Sequence, residues 1–147
     1  MATNFALDLR ALCAKVADKA DVVARKSVLA VGTSLVLKSP VGDPSLWKDN
    51  PPAGYVGGRF RANWQHGMGE PAPGTIDTTD ADGGETIGNL STQIDSGEAA
   101  GIHYITNNLP YAQALEYGHS TQAPSGMVGI TVVEFEQYVA QAVQEST

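Results

Sequence analysis

FALDLRALCAKVADKADVVARKSVLAVGTSLVLK, residues 5–38, is the stretch on which the architecture turns. Phe5, Leu9, Leu12, Val16, Ala20 and Val23 recur at steps of four and three, which sets them along one side of an α-helix. Lys15, Asp18, Lys19, Arg25 and Lys26 fall off that stripe. Thr3 or Asn4 offers a side-chain oxygen to cap a helix starting at Phe5. The stripe then moves to Val28, Val31 and Leu35, and from Val28 to Leu37 the helix is apolar almost all round. Such a surface is either deep in the core or covered by a neighbour, and in a small chain a second subunit can supply the cover. Gly32 costs about 1 kcal/mol of helix propensity without stopping the run. Ser39-Pro40 does stop it, because proline disfavours helix in the residue before it. Cys13 lies among these apolar positions and reads as a small core residue. As the one cysteine it has no internal disulfide partner.

Residues 39–58 (SPVGDPSLWKDNPPAGYVGG) hold four of the eight prolines and four of the sixteen glycines, so they form a loop. It exceeds the roughly 12–15 residues usual in compact domains, and loops of that length are generally functional or mobile. Trp47 and Tyr55 within it suit docking on another surface. In RFRANWQHGM, residues 59–68, Phe60, Ala62 and Trp64 alternate with Arg59, Arg61 and Asn63, which predicts a strand with one apolar face. Residues 69–84 (GEPAPGTIDTTDADGG) read as a second, flexible and acidic loop. Ile87, Leu90 and Ile94 predict a short helix, and Ile102 to Asn107 a second strand by alternation. Pro110 can open a brief helix that Gly118 closes. Val132, Phe135, Val139 and Ala142 mark the apolar face of a C-terminal helix. The expected class is α+β, one domain over residues 1–147, with a long first helix and a last helix packed on a small sheet, joined by long loops.

All nine Lys and Arg residues lie between Arg10 and Arg61. Residues 1–61 carry five acids and a net +4, whereas residues 62–147 carry eleven acids and no base. Either each part simply has its own solvated surface, or the basic part of one copy meets the acidic part of the next. An acidic wall also suits a channel through which DNA slides without adhering. The overall −7 argues against a free-standing nucleic-acid binder. No run approaches the roughly 20 apolar residues of a membrane span, and the start MATNFALDLR has no basic-then-apolar leader pattern.

Catalytic patterns are missing. His66, His103 and His119 have no second ligand at zinc-site spacing. Asp77, Asp80, Asp82 and Glu85 lack the alternate spacing and terminal Glu of a calcium loop. Gly54, Gly57 and Gly58 lead to Arg59 without the sequence of a phosphate loop, and no nucleophile elbow occurs. We therefore expect no enzyme activity, no metal and no cofactor. What remains suits contacts: Arg59, Arg61 and Trp64 around one predicted strand, and Tyr104, Tyr111 and Tyr117 near the other. Trp64 and Tyr104 fit a core equally well.

Two of these stretches resemble a known family. Ser39-Pro40-Val41, followed by Gly57-Gly58-Arg59-Phe60-Arg61-Ala62-Asn63-Trp64, is similar to the "TPVDTGxLRxSW" signature of tailed-phage tail-completion and head–tail joining proteins. An insertion of about fifteen residues separates its parts here, as in the minor tail protein Z type. Tyr104 to Ala112 and Leu115-Glu116-Tyr117-Gly118 resemble that family's "xNNxPYAxxLEYG" segment, and Ala123-Pro124-Ser125-Gly126-Met127 follows in order. Gly42 stands where the family has an acid, with Asp43 one place later. The relatives' basic last third has no counterpart here.

The resemblance implies a structural virion protein of the phage neck, made in the host cytoplasm, that completes the tail and helps join it to the head. Such proteins work as rings, sixfold to match the tail tube, between tail-terminator and head-completion rings, with DNA passing through the lumen. Residues 39–58 become a docking loop. The expected interface comprises Trp47, Tyr55, Gly57, Gly58, Arg59, Arg61, Trp64, Asn107, Asn108, Pro110, Tyr111, Glu116 and Tyr117. A small intracellular protein-binding module or inhibitor is the alternative expectation.

Overall fold

The computed structural model describes residues 2–147, with side chains at Ala6 and from Asp8 onward. Helix α1 (Ala2–Lys38) is followed by a 3-10 turn at Pro44–Leu46, α2 (Arg59–Ala62), β1 (Trp64–Met68) and α3 (Gly84–Ser96). Strand β2 (His103–Asn107), α4 (Ala112–Glu116) and α5 (Val128–Glu145) complete the chain. The class is the α+β arrangement expected, with a long first helix and a last helix around a small sheet. The two strands pair antiparallel, Trp64 opposite Asn107 and Met68 opposite His103.

Helix α1 is already formed at Ala2, three residues before the expected start, since nothing from Ala2 onward breaks a helix. Thr3 and Asn4 are therefore inside it, and their expected capping side chains, like that of Phe5, lie outside the described residues. From Ser27 onward α1 is part of the body. Leu35 and Val36 are buried with Phe60, Trp64, Leu90, Ile94, Leu109 and Met127, and Val28, Leu29 and Val31 pack against that cluster. The apolar run 28–37 is thus covered largely by its own chain, through α3 on one side and α5 on another. Before Val23 the helix stands clear, and its described side chains are exposed. Cys13 is among them, which overturns its reading as a core residue. Leu9, Leu12 and Val16 of the same stripe are exposed as well.

Of the face expected for the C-terminal helix, Ala142 is buried and Val139 half-buried, but the Val132–Phe135 end is not. Thr131 and Ala142 are buried, whereas Val132 and Phe135 are exposed. The reason lies on α1, which offers Ser34 and Lys38 at the crossing. Ser34 Oγ lies 2.9 Å from Thr131 Oγ1, and Lys38 Nζ donates to Glu134 at 2.9 Å. Tyr138 and Glu134 join the same cluster. Burial works to lower the Lys38 pKa, but its bonds to Glu134 and Tyr138 outweigh that and raise it. This polar seam faces α1 at the first half of α5, where Val132 and Val133 stay outward.

Residues 59–62 are a helical turn rather than the first half of a strand. Gly58, at φ +109°, turns the chain in the left-handed sense. Asn63 Nδ2 then donates to Arg59 O at 2.7 Å and closes the turn. Phe60 and Trp64 are four apart, and their rings meet edge to face at 5.8 Å. Spacing of four satisfies a helical turn and a period of two alike, so alternation misled here. The strand starts at Trp64.

Candidate interaction surface

Many of the expected interface residues hold the fold together. Gly57 lets two loop segments touch, since a Cβ there would lie 2.2 Å from Gly42 O. Gly58 lies against the 80–81 backbone, where a Cβ would stand 2.6 Å from Ala81 N. Arg61 donates Nε to Ser39 O at 2.9 Å, Nη1 to Ala81 O at 2.8 Å and Nη2 to Leu37 O at 3.0 Å. It thereby satisfies carbonyls that the end of α1 leaves open. Trp64 is buried and donates Nε1 to Ser39 Oγ at 2.7 Å. Ser39, Arg61 and Trp64 together lock the exit of α1.

The second stretch behaves alike. Asn107 Nδ2 donates to Phe60 O at 2.9 Å, which ties β2 to α2. Asn108 Nδ2 reaches Ala72 O at 2.8 Å and Gly74 O at 2.9 Å. Asn63 also holds that 69–84 segment, donating to Ile76 O at 2.9 Å and accepting from Ile76 N at 2.7 Å. Asp80 caps α3 through the amides of Gly83 and Thr86. Glu116 accepts from the amides of Met127, Val128 and Gly129 at the start of α5. Burial pushes the Glu116 carboxyl up, but these amides together hold it below the usual range.

The remaining residues face outward, and most of them meet. Trp47, Tyr55, Gly58, Arg59 and Tyr111 line one groove of about 570 Å³ along with Pro40, Leu46 and His119. Gln122 closes one side of it, accepting from Val41 N at 2.9 Å and donating to Val41 O at 2.7 Å. Trp47 and Tyr55 ring centres are 4.9 Å apart, and Phe60 and Tyr111 are 6.0 Å apart. Burial raises the Tyr111 pKa, partly offset by Arg59. Arg59 also pairs with Asp77 at 3.3 Å. Pro110 is exposed beside the groove, and Tyr117, 83% exposed, lies apart from its walls. Chemically the groove offers aromatic faces with a cationic edge, which suits protein contacts. Among the described residues no group of three His, Cys, Asp or Glu is placed to hold a metal ion.

No family model, curated protein or solved structure matches this chain.

The structure also pairs two residues that spacing along the chain kept apart. His66 Nε2 and His103 Nδ1 lie 2.9 Å apart, and His103 Nε2 is 2.8 Å from Ala99 O. The carbonyl can only accept, so His103 Nε2 carries a proton, and with both rings neutral His66 Nε2 donates to its Nδ1. Burial lowers the His66 pKa, and neighbouring His103 lowers it further. Their diagonal placement follows from strand register, which local sequence does not reveal.

Proposed function

We propose that this chain is a structural protein of a long-tailed bacteriophage neck, completing the tail and joining it to the head as a ring of copies. One observation carries the reading. The two signature-like stretches, far apart in sequence, form a single unit in which Arg61, Trp64, Asn107 and Glu116 bind backbone or bury inside. Trp47, Tyr55, Arg59 and Tyr111 are left on one outward groove. A signature divided in this way supports a scaffold that presents a docking loop. Its partners are further copies of itself and the adjoining tail-terminator and head-completion rings. DNA passes through the lumen without sequence-specific contact, and the acid-rich part after Arg61 favours passage without adhesion.

Electron microscopy of lysates from the parent phage lacking this gene tests the reading. The expected result is full heads beside separate tails of finished length. Joined, normal particles would remove the neck role and favour a small protein-binding module.

A further inference from the structure

Among the described residues, two apolar surfaces are left at least partly open to solvent. The first is the arm of α1, where Leu9, Leu12 and Val16 are 49%, 58% and 58% exposed. The second is a groove of about 640 Å³ between α1 and α5, lined by Val28, Val31, Leu35, Ile105, Val132 and Phe135. These two helices run antiparallel, since Lys26 pairs with Glu145 and Lys38 with Glu134. Those ion pairs occupy the polar side of the helix pair. The apolar side is the one left open, and Val132 on it is 67% exposed.

The arm cannot reach its own groove. Helix α1 is continuous from Ala2 to Lys38, and no glycine or proline occurs in it before Gly32. The groove is walled by that same helix, so folding back would require breaking it. A second copy can supply the arm without any break. The spans agree, because Leu9 to Val16 and Val28 to Leu35 each cover about 10 Å at the α-helical rise. Charges agree as well. Lys15 and Lys19 border the stripe, with Asp8 nearer the tip and Asp18 and Asp21 on the opposite side. Neither lysine is in an ion pair among the described residues. Glu136, one turn along α5 from Val132, and Glu98, three residues before the groove's Gly101, are likewise without ion pairs.

We propose that the Leu9–Leu12–Val16 stripe of one copy seats in the α1–α5 groove of the next copy. A helix laid between two antiparallel helices completes a three-helix packing and covers both open surfaces at once. Donor and acceptor surfaces differ, so the contact is heterologous, and repetition about an axis closes a ring. This deepens the ring part of the reading above and rests on that part alone, not on the virion.

Cys13, the sole cysteine, is exposed beside the stripe and serves as the probe. Purified full-length chains carrying Val132→Cys or Ile102→Cys are treated with a short bismaleimide and run under denaturing conditions. The expected result is a ladder of linked chains that the unmodified chain does not give and that adding Leu12→Asp abolishes. By light scattering, Leu12→Asp alone should reduce the assembly to the 15.4 kDa monomer. Its site lies outside the folded body, so the thermal midpoint of the body stays unchanged. Cys13–Cys13 dimers in the unmodified chain would mean that arms pair with arms, and would overturn the proposal. A chain that stays monomeric and unlinked at every concentration would overturn it too. Cross-links together with normal particles from the gene-deleted phage would leave the arm contact standing and remove the neck role.

Discussion

Glu116 accepts amides from Met127, Val128 and Gly129 at 2.8, 2.8 and 2.9 Å, so one carboxylate satisfies three of the four open donors of α5. Burial opposes its charge and the amides outweigh burial, leaving the folded-state pKa below the ordinary 4.5. A carboxyl lowered in this way adds stability above its unfolded value, and the gain is lost as pH falls through the folded value. Glu116→Gln keeps one accepting oxygen and removes the charge, and should cost about 1–2 kcal/mol at pH 7. Urea unfolding at pH 7 and pH 3 checks this, because the gap between the two proteins should narrow at the lower pH. In the sequence Glu116 is legible only as part of a signature, which points to an interface. Its role as a cap depends on α5 arriving eleven residues later, which no local pattern states.

Among the elements, α2 and the hairpin depend most on particular backbone and ring geometry. Gly58 combines φ +109° with a Cβ position 2.6 Å from Ala81 N, whereas Gly54, at φ +76°, faces open space. Gly58→Ala should therefore lose about 1–3 kcal/mol of stability. Gly54→Ala carries only the left-handed penalty, roughly 1 kcal/mol. Thermal unfolding of the two variants side by side separates crowding from backbone strain. In the hairpin, burial and then His103 lower the His66 pKa beneath its ordinary 6.5. The unfolded chain thus binds a proton more readily than the folded one. Stability contributed by neutral His66 is present above about pH 6.5 and declines as pH falls through the folded value. His66→Gln retains a donor toward His103 and should flatten the fall in melting temperature between pH 7 and pH 5. An unchanged slope would show that the pair does not control it.

At the scale of the whole molecule, the divided charge turns partly inward. Lys26–Glu145, Lys38–Glu134 and Arg59–Asp77 each join a base from the first part to an acid from the second. All three are at least partly exposed, so they orient the elements more than they stabilise them. The loop from residue 39 to 58 is tied down at its start by Arg61, Trp64 and Gln122. At its tip Trp47 and Lys48 are exposed, with the Trp47 ring set against Tyr55. Replacing Trp47–Tyr55 by a short Gly-Ser linker should change the unfolding free energy by less than about 1 kcal/mol. The same change should block head–tail joining in a complementation assay scored by electron microscopy. Normal infectious particles from that variant would sink the docking role of the loop.

Periodicity and proline or glycine punctuation by themselves determined the long first helix, its stop at Ser39-Pro40, the helix around Leu90, the second strand and the last helix. Those signals are local, because each element's apolar spacing and its breakers lie within it. Tertiary structure decided what each face meets. Ser34 and Lys38 chose the polar side of α5, Gly58 and Asn63 turned an alternating segment into a helical turn, and strand register brought His66 to His103. The same stripe of residues that specifies α1 as a helix does not say whether anything covers it. Cys13 reads as core and Leu12 as part of an apolar stripe, yet both stand in the open, because burial is a property of what arrives in space.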